Sequence, residues 1–125
     1  MNSGFLDKSI LIVEDDPISA LLFMELLEPT QAKLTVVYDG NALFEVIRNH
    51  SIDLILLDIR LGDQNGFVLL PKIREINPNI IVIAQTANAF LDNRIKCMEA
   101  GFDEYLSKPV SSEELFYKLR KFLSA

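Results

Sequence analysis

The 125-residue chain has one cysteine, Cys97, and one histidine, His50. A lone cysteine excludes an internal disulfide, and a lone histidine excludes a multi-histidine metal site. Apolar runs stop at about four or five residues, far short of the roughly 20 that a membrane-crossing helix needs. The opening residues, Met1 to Lys8, lack the apolar core of a signal peptide. Basic charge is in the minority: 12 Lys and Arg stand against 18 Asp and Glu, a formal net charge of −6. Such a balance disfavours direct nucleic-acid binding. Linkers, low-complexity tracts and solenoid repeats are also missing. These absences lead to the expectation of one soluble, cytoplasmic domain over residues 1–125, without membrane insertion.

What is present is an alternation. Half of the residues are hydrophobic, enough for one substantial core. Short apolar runs read as strands at Ser9–Val13, Leu34–Val37, Leu54–Leu57, Ile80–Ala84 and Asp103–Leu106, and helical patterns fall between them. Asp16-Pro17 reads as an N-cap with proline at the first helical position, followed by the stripe Ile18, Leu21, Leu22, Leu26. Ala42, Leu43, Val46 and Ile47 mark a second helix, and Asn65 caps a third that runs to about Ile76. A fourth helix is expected from about Ala89 to Ala100, ended by Gly101. Ser111 to Glu114 has capping-box spacing and opens a fifth helix with Leu115, Phe116, Leu119, Phe122 and Leu123 on its apolar side. Five strand–helix repeats predict an α/β fold: a doubly wound, flavodoxin-like (βα)5 domain whose five-stranded parallel sheet has order 2-1-3-4-5, with helices on both faces.

In such sheets ligands bind beyond the carboxyl ends of the strands, and here those ends are polar. The first strand ends at Glu14-Asp15-Asp16 and the third at Asp58. Gln85-Thr86 follows the fourth strand, and Ser107-Lys108-Pro109 the fifth. Clustered carboxylates repel one another and are costly to desolvate, and a hard divalent cation such as Mg2+ relieves both problems. A carboxylate is also a nucleophile toward a phosphoryl group, with a lysine and a hydroxyl to steady the charge. The blander readings are Asp16 as a plain helix cap, Cys97 as a small core residue, His50 as a surface charge at a helix end, and Lys118-Leu119-Arg120-Lys121 as a solvated helix face.

Four segments, each at a strand end and in order, carry a resemblance: Ile10–Pro17 (ILIVEDDP), Leu56–Gly66 (LLDIRLGDQNG), Ala84–Ala89 (AQTANA) and Tyr105–Val110 (YLSKPV). The chain resembles the receiver domains of two-component response regulators over essentially its full length. The resemblance implies that Asp58 accepts a phosphoryl group from the phosphohistidine of a histidine kinase or histidine phosphotransfer protein. It implies Mg2+ held by Glu14, Asp15, Asp58 and the backbone carbonyl of Arg60. Thr86 then resembles the hydroxyl that moves to the phosphoryl group, Lys108 the lysine that pairs with it, and Tyr105 the aromatic switch that turns inward as the hydroxyl moves. The bond before Pro109 is often cis in that family. The output would be a changed face of helix 4, strand 5 and helix 5, used for partners or for a phosphorylation-dependent homodimer. No output domain is expected in this chain, and the domain is expected to be a switch with self-catalysed phosphotransfer and slow autodephosphorylation, not an enzyme.

Four residues, in three places, depart from the family's commonest pattern. Gly62 stands where proline is usual, which predicts a more flexible loop. Glu14 replaces the commoner aspartate. Arg60 and Asn88 occupy the positions two residues beyond Asp58 and Thr86, where phosphate lifetime is tuned. The alternative function is a pseudo-receiver that only binds partners. An aspartyl phosphatase is disfavoured, because Arg60 stands where its second aspartate belongs. A flavin protein is disfavoured too, because three acidic residues follow the first strand in place of a phosphate loop.

Overall fold

A computed structural model describes residues 4–124. Its main sheet has five parallel strands: β1 (Ser9–Val13), β2 (Lys33–Val37), β3 (Leu54–Asp58), β4 (Ile81–Thr86) and β5 (Glu104–Ser107). They lie in the order β2-β1-β3-β4-β5, as the alternating pattern predicts. The helices are α1 (Pro17–Leu27), α2 (Gly40–Asn49), α3 (Gly66–Ile76), α4 (Arg94–Ala100) and α5 (Ser112–Leu123).

Side chains alternate between the two faces of a strand, and the core divides accordingly. Ile10, Ile12, Leu54, Leu56, Ile83 and Leu106 pack with α1 and α5. Leu11, Val13, Ile55, Leu57, Val82 and Ala84 pack with α2, α3 and α4. The sheet is therefore covered on both faces, which explains the nearly continuous apolar runs of the inner strands β1 and β3.

Three helix starts are capped where the sequence indicates: Asp16, Asn65 and Ser111 accept backbone N–H bonds from Ile18, Phe67 and Glu114. Asp39 caps a further start, accepting from Ala42 N. Gly101 ends α4, Cys97 is buried in the core, and His50 is an exposed C-cap.

Several expectations need correction. The helix expected from Ala89 starts only at Arg94, capped by Asn93, whose side chain accepts from Lys96 N at 2.9 Å. Residues 89–93 form a turn-rich loop, in which the Asn88 side chain accepts from Leu91 N and the Asp92 carboxylate is held by Thr86 and Arg60 side chains. In α1 the stripe Ile18, Leu21, Leu22 faces outward, and Ala20, Phe23 and Leu27 are buried instead. That helix is apolar nearly all round, so spacing alone cannot choose its inner face.

Strand β4 runs on through Gln85 and Thr86, which pair with Leu106 and Ser107. Asp103 stays outside β5, its carboxylate taken by Val82 N and Arg74. Lys118 is no solvated charge. Its ammonium lies 2.5 Å from the carbonyl of Tyr105 and 2.9 Å from Glu114.

The position of the α4 start gives a stability prediction. Asn93→Ala should cost about 1 kcal/mol, as loss of a helix N-cap does. Ala89→Gly should cost well under the roughly 1 kcal/mol expected inside a helix. Urea denaturation of both variants checks this, and the reverse ranking would place the helix start at Ala89.

Candidate metal and phosphoryl-acceptor site

The parallel register sets the ends of β1 and β3 side by side, with Val13 opposite Leu57. Glu14, Asp15 and Asp58 consequently meet, and one carboxylate oxygen from each lies within 4.8 Å of the others. Glu14 is fully buried, Asp58 is nearly so, and Asp15 is exposed. Lys108, just past β5, reaches between them. Its Nζ is 2.5 Å from Glu14 Oε1 and 3.4 Å from Asp58 Oδ2. The Lys108–Pro109 bond is cis.

The electrostatics are uneven. Burial, then the hydrogen bond and charge of Glu14, push Asp58 up to about 7, against the pull of Lys108 and the Arg60 N–H. Burial opposes the charge on Lys108, but Glu14 and Asp58 outweigh it and raise its pKa. Glu14 is thereby locked. One oxygen holds Lys108 and the other accepts from Asp16 N at 3.2 Å.

The loop after Asp58 wraps the exposed side of the cluster. Arg60–Leu61 and Gln64–Asn65 pair as a short hairpin, and Arg60 N donates to Asp58 Oδ1 at 3.1 Å. Gly62 takes a φ of 58° and donates its N–H to Asp15 Oδ2 at 2.8 Å. Proline could do neither, since its ring fixes φ near −65° and it has no N–H. The departure at Gly62 thus has a structural cause beyond loop flexibility. At Gly66 a Cβ would come 3.1 Å from Ile59 Cα and 3.3 Å from the Asp58 carbonyl, so glycine lets α3 begin close to the end of β3 without crowding it.

Thr86 lies on the opposite face of the sheet from Asp58, by the alternation that separates Val82 and Ala84 from Leu54 and Leu56. Its hydroxyl donates to Asp92 Oδ2 at 3.1 Å and accepts from Asn88 N at 3.0 Å. Tyr105 is already largely buried, in the same apolar cluster as Ala84 and Cys97. Asp92 escaped the sequence reading. Its only signal was an acidic residue inside an apolar stretch, and that stretch reads as helix surface. Gln85 stands among the polar strand ends of the sequence but was given no role there. It is fully buried beside Asp58 in the register, and its amide finds no hydrogen-bond partner among the described residues.

Beside Lys108 opens an apolar groove of about 430 Å³, lined by Leu22, Phe23, Leu26, Pro109 and Val110. Exposed Ile18 and Leu21 lie on the same helix.

Known proteins bear directly on this arrangement. The response regulator receiver domain family matches residues 10–120. The chain belongs to this family. It is 34% identical over 114 residues to the TorCAD operon transcriptional regulatory protein TorR of Escherichia coli, covering 91% of this chain and 49% of TorR. It is 32% identical over 109 residues to the sensor histidine kinase RcsC of Salmonella typhi, covering 87% of this chain and 12% of RcsC. The chain therefore spans about half or less of these curated relatives.

Among solved structures it resembles the receiver domain of sensor histidine kinase PA1611 from Pseudomonas aeruginosa. The two share 32% identity with a TM-score of 0.83, over 93% of this chain and 97% of that one. The PA1611 domain holds a magnesium ion in its active-site cleft. The present domain is a receiver domain of the two-component signalling family. Its cluster fits the same kind of ion, because every donor is a hard oxygen and Mg2+ prefers such donors. No helix among the described residues is long and apolar enough to cross a membrane.

Two expectations follow from this geometry. Gly62→Pro should lose roughly 1–3 kcal/mol of stability through forced backbone strain and weaken Mg2+ binding by freeing Asp15, both measurable by denaturation with and without the ion. In chelator, the folded domain keeps a proton on Asp58 that the unfolded chain releases. Stability should therefore fall as pH rises from about 4 to about 7. Asp58→Asn should flatten that descent in urea titrations run across this window.

Proposed function

We propose that Asp58 accepts a phosphoryl group from the phosphohistidine of a histidine kinase or histidine phosphotransfer protein, in a Mg2+-dependent step. The observation that carries this reading is the meeting of Glu14, Asp15 and Asp58 with Lys108 at one sheet edge. In the transfer, an ionised Asp58 oxygen attacks phosphorus. The O–P bond forms as the P–N bond to the donor imidazole breaks, and the electron pair leaves with the ring nitrogen.

Glu14, Asp15, Asp58 and the Arg60 backbone carbonyl would hold Mg2+, with Asp15 the more direct ligand of the acidic pair. When bound, the ion neutralises charge on the transferring oxygens. Lys108 exchanges part of its pairing with Glu14 for the phosphoryl group. The Thr86 hydroxyl donates to that group, and Tyr105 packs behind it.

The apolar groove beside Lys108, with Ile18 and Leu21 nearby, suits a docking phosphodonor. Ile95 on α4 and Tyr117 on α5 are exposed, and they belong to the face of α4, β5 and α5 assigned to partners or to a homodimer. A cytoplasmic location accords with this chemistry.

Incubation with acetyl phosphate and Mg2+ should add one phosphoryl group by intact-mass spectrometry, and none to Asp58→Asn. Lys108→Ala should slow the transfer by about 10²-fold, the scale for losing one preorganised charge donor. Asp15→Asn should chiefly remove the dependence on Mg2+. An unmodified wild-type mass would leave a partner-binding pseudo-receiver.

A further inference from the structure

Asp92 is fully buried, and three hydrogen bonds converge on its carboxylate. Arg60 grips it with two, Nε to Oδ2 at 3.0 Å and Nη2 to Oδ1 at 2.7 Å. Thr86 Oγ1 supplies the third, to Oδ2 at 3.1 Å. Both donors adjoin the acceptor strand. Arg60 touches Asp58 through its backbone N–H, and Thr86 ends the strand paired to β3. The carboxylate itself comes from the loop between β4 and α4.

We propose that Asp92 is a positioning residue that holds Thr86 and Arg60 away from Asp58 in the unphosphorylated domain, and that the phosphoryl group displaces it by taking both donors. The proposal rests on Asp58 being the phosphoacceptor. A phosphoryl group offers about two negative charges and three acceptor oxygens, against one charge and two oxygens on Asp92. Arg60 favours such bidentate acceptors. The exchange is costly for Asp92, because a buried carboxylate stripped of its partners is unstable. Asp92 must therefore turn toward water.

That movement has a route. Residues 87–93 are held inward chiefly at this node. Asn88 N bonds the same Thr86 hydroxyl, and Leu91 N and Asp92 N bond back to Asn88. Losing Thr86 and Arg60 releases the segment that carries Phe90, 90% exposed, and Leu91. Asp92 would thus convert chemistry at Asp58 into a change at the start of α4.

The test uses beryllofluoride with Mg2+ as a non-hydrolysable phosphoryl mimic, on the whole chain. Asp92→Asn should bind it about ten-fold more tightly than wild type, within the usual range of coupling between sites. Its Thr86 and 87–93 amide resonances without the mimic should lie displaced toward those of mimic-bound wild type. A purely structural Asp92 would leave affinity unchanged or weaker, which overturns the proposal. A second measurement needs no variant: the Asp92 carboxyl carbon resonance of wild type should shift when the mimic binds, and a fixed resonance overturns the proposal too. A wild-type protein that neither binds the mimic nor gains a phosphoryl group sinks the phosphoacceptor reading itself, and that result is separable from failure of the Asp92 exchange alone.

Discussion

Two buried carboxylates sharing one ammonium, with a third carboxylate beside them, govern this molecule's working end. Glu14 and Asp58 sit at the buried ends of adjacent parallel strands, where water cannot screen them. Two such groups repel, and the low polarity around them disfavours charge. Lys108 relieves part of the conflict by binding Glu14 tightly and Asp58 more loosely. The remainder shows in Asp58, whose carboxyl is pushed up to about 7. A divalent cation held by these carboxylates would relieve the repulsion and favour the ionised form of Asp58.

The loops read as adaptations to that cluster. Asp15 stays exposed but is fixed by Gly62 N, and Arg60 N steadies Asp58. Gly66 lets the third helix begin close against the acceptor strand. The opposite side of the sheet end carries a second, smaller charge cluster, Arg60 with Asp92, which engages Thr86. Arg60 contributes to both, its backbone to the acceptor and its side chain to the buried aspartate. A single residue thereby spans the two charge clusters.

Much of this was legible in the residues. Alternating apolar runs and helical patterns are set by local chemistry and by burial on both faces, so the strand order and the acidic, hydroxyl and lysine strand ends could be placed. The helix caps at Asp16, Asn65 and Ser111 were legible for the same reason, since a cap is a contact within three residues. Less legible were choices made between distant groups. The inner face of α1 depends on what packs over β1 and β3, and an almost uniformly apolar helix gives no hint of it. The start of α4 is delayed by side chains of Asn88 and Asp92 that find partners outside the helix. Lys118 looked like a surface charge because its partner, the carbonyl of Tyr105, lies on another element.

The sequence by itself determined the α/β alternation, the positions of Asp58, Thr86 and Lys108 at strand ends, and the likeness to receiver domains. These are properties of segments, carried by patterns a few residues long. The tertiary structure alone decided that Glu14 pairs with Lys108, that Gly62 anchors Asp15, and that Asp92 holds Arg60 and Thr86. Each of these joins residues separated by 94, 47, and 32 or 6 positions. Even the shortest spans a loop whose course depends on the packing beneath it. Which buried charge finds which partner is settled by desolvation, and desolvation exists only once the sheet and its two helical layers have closed.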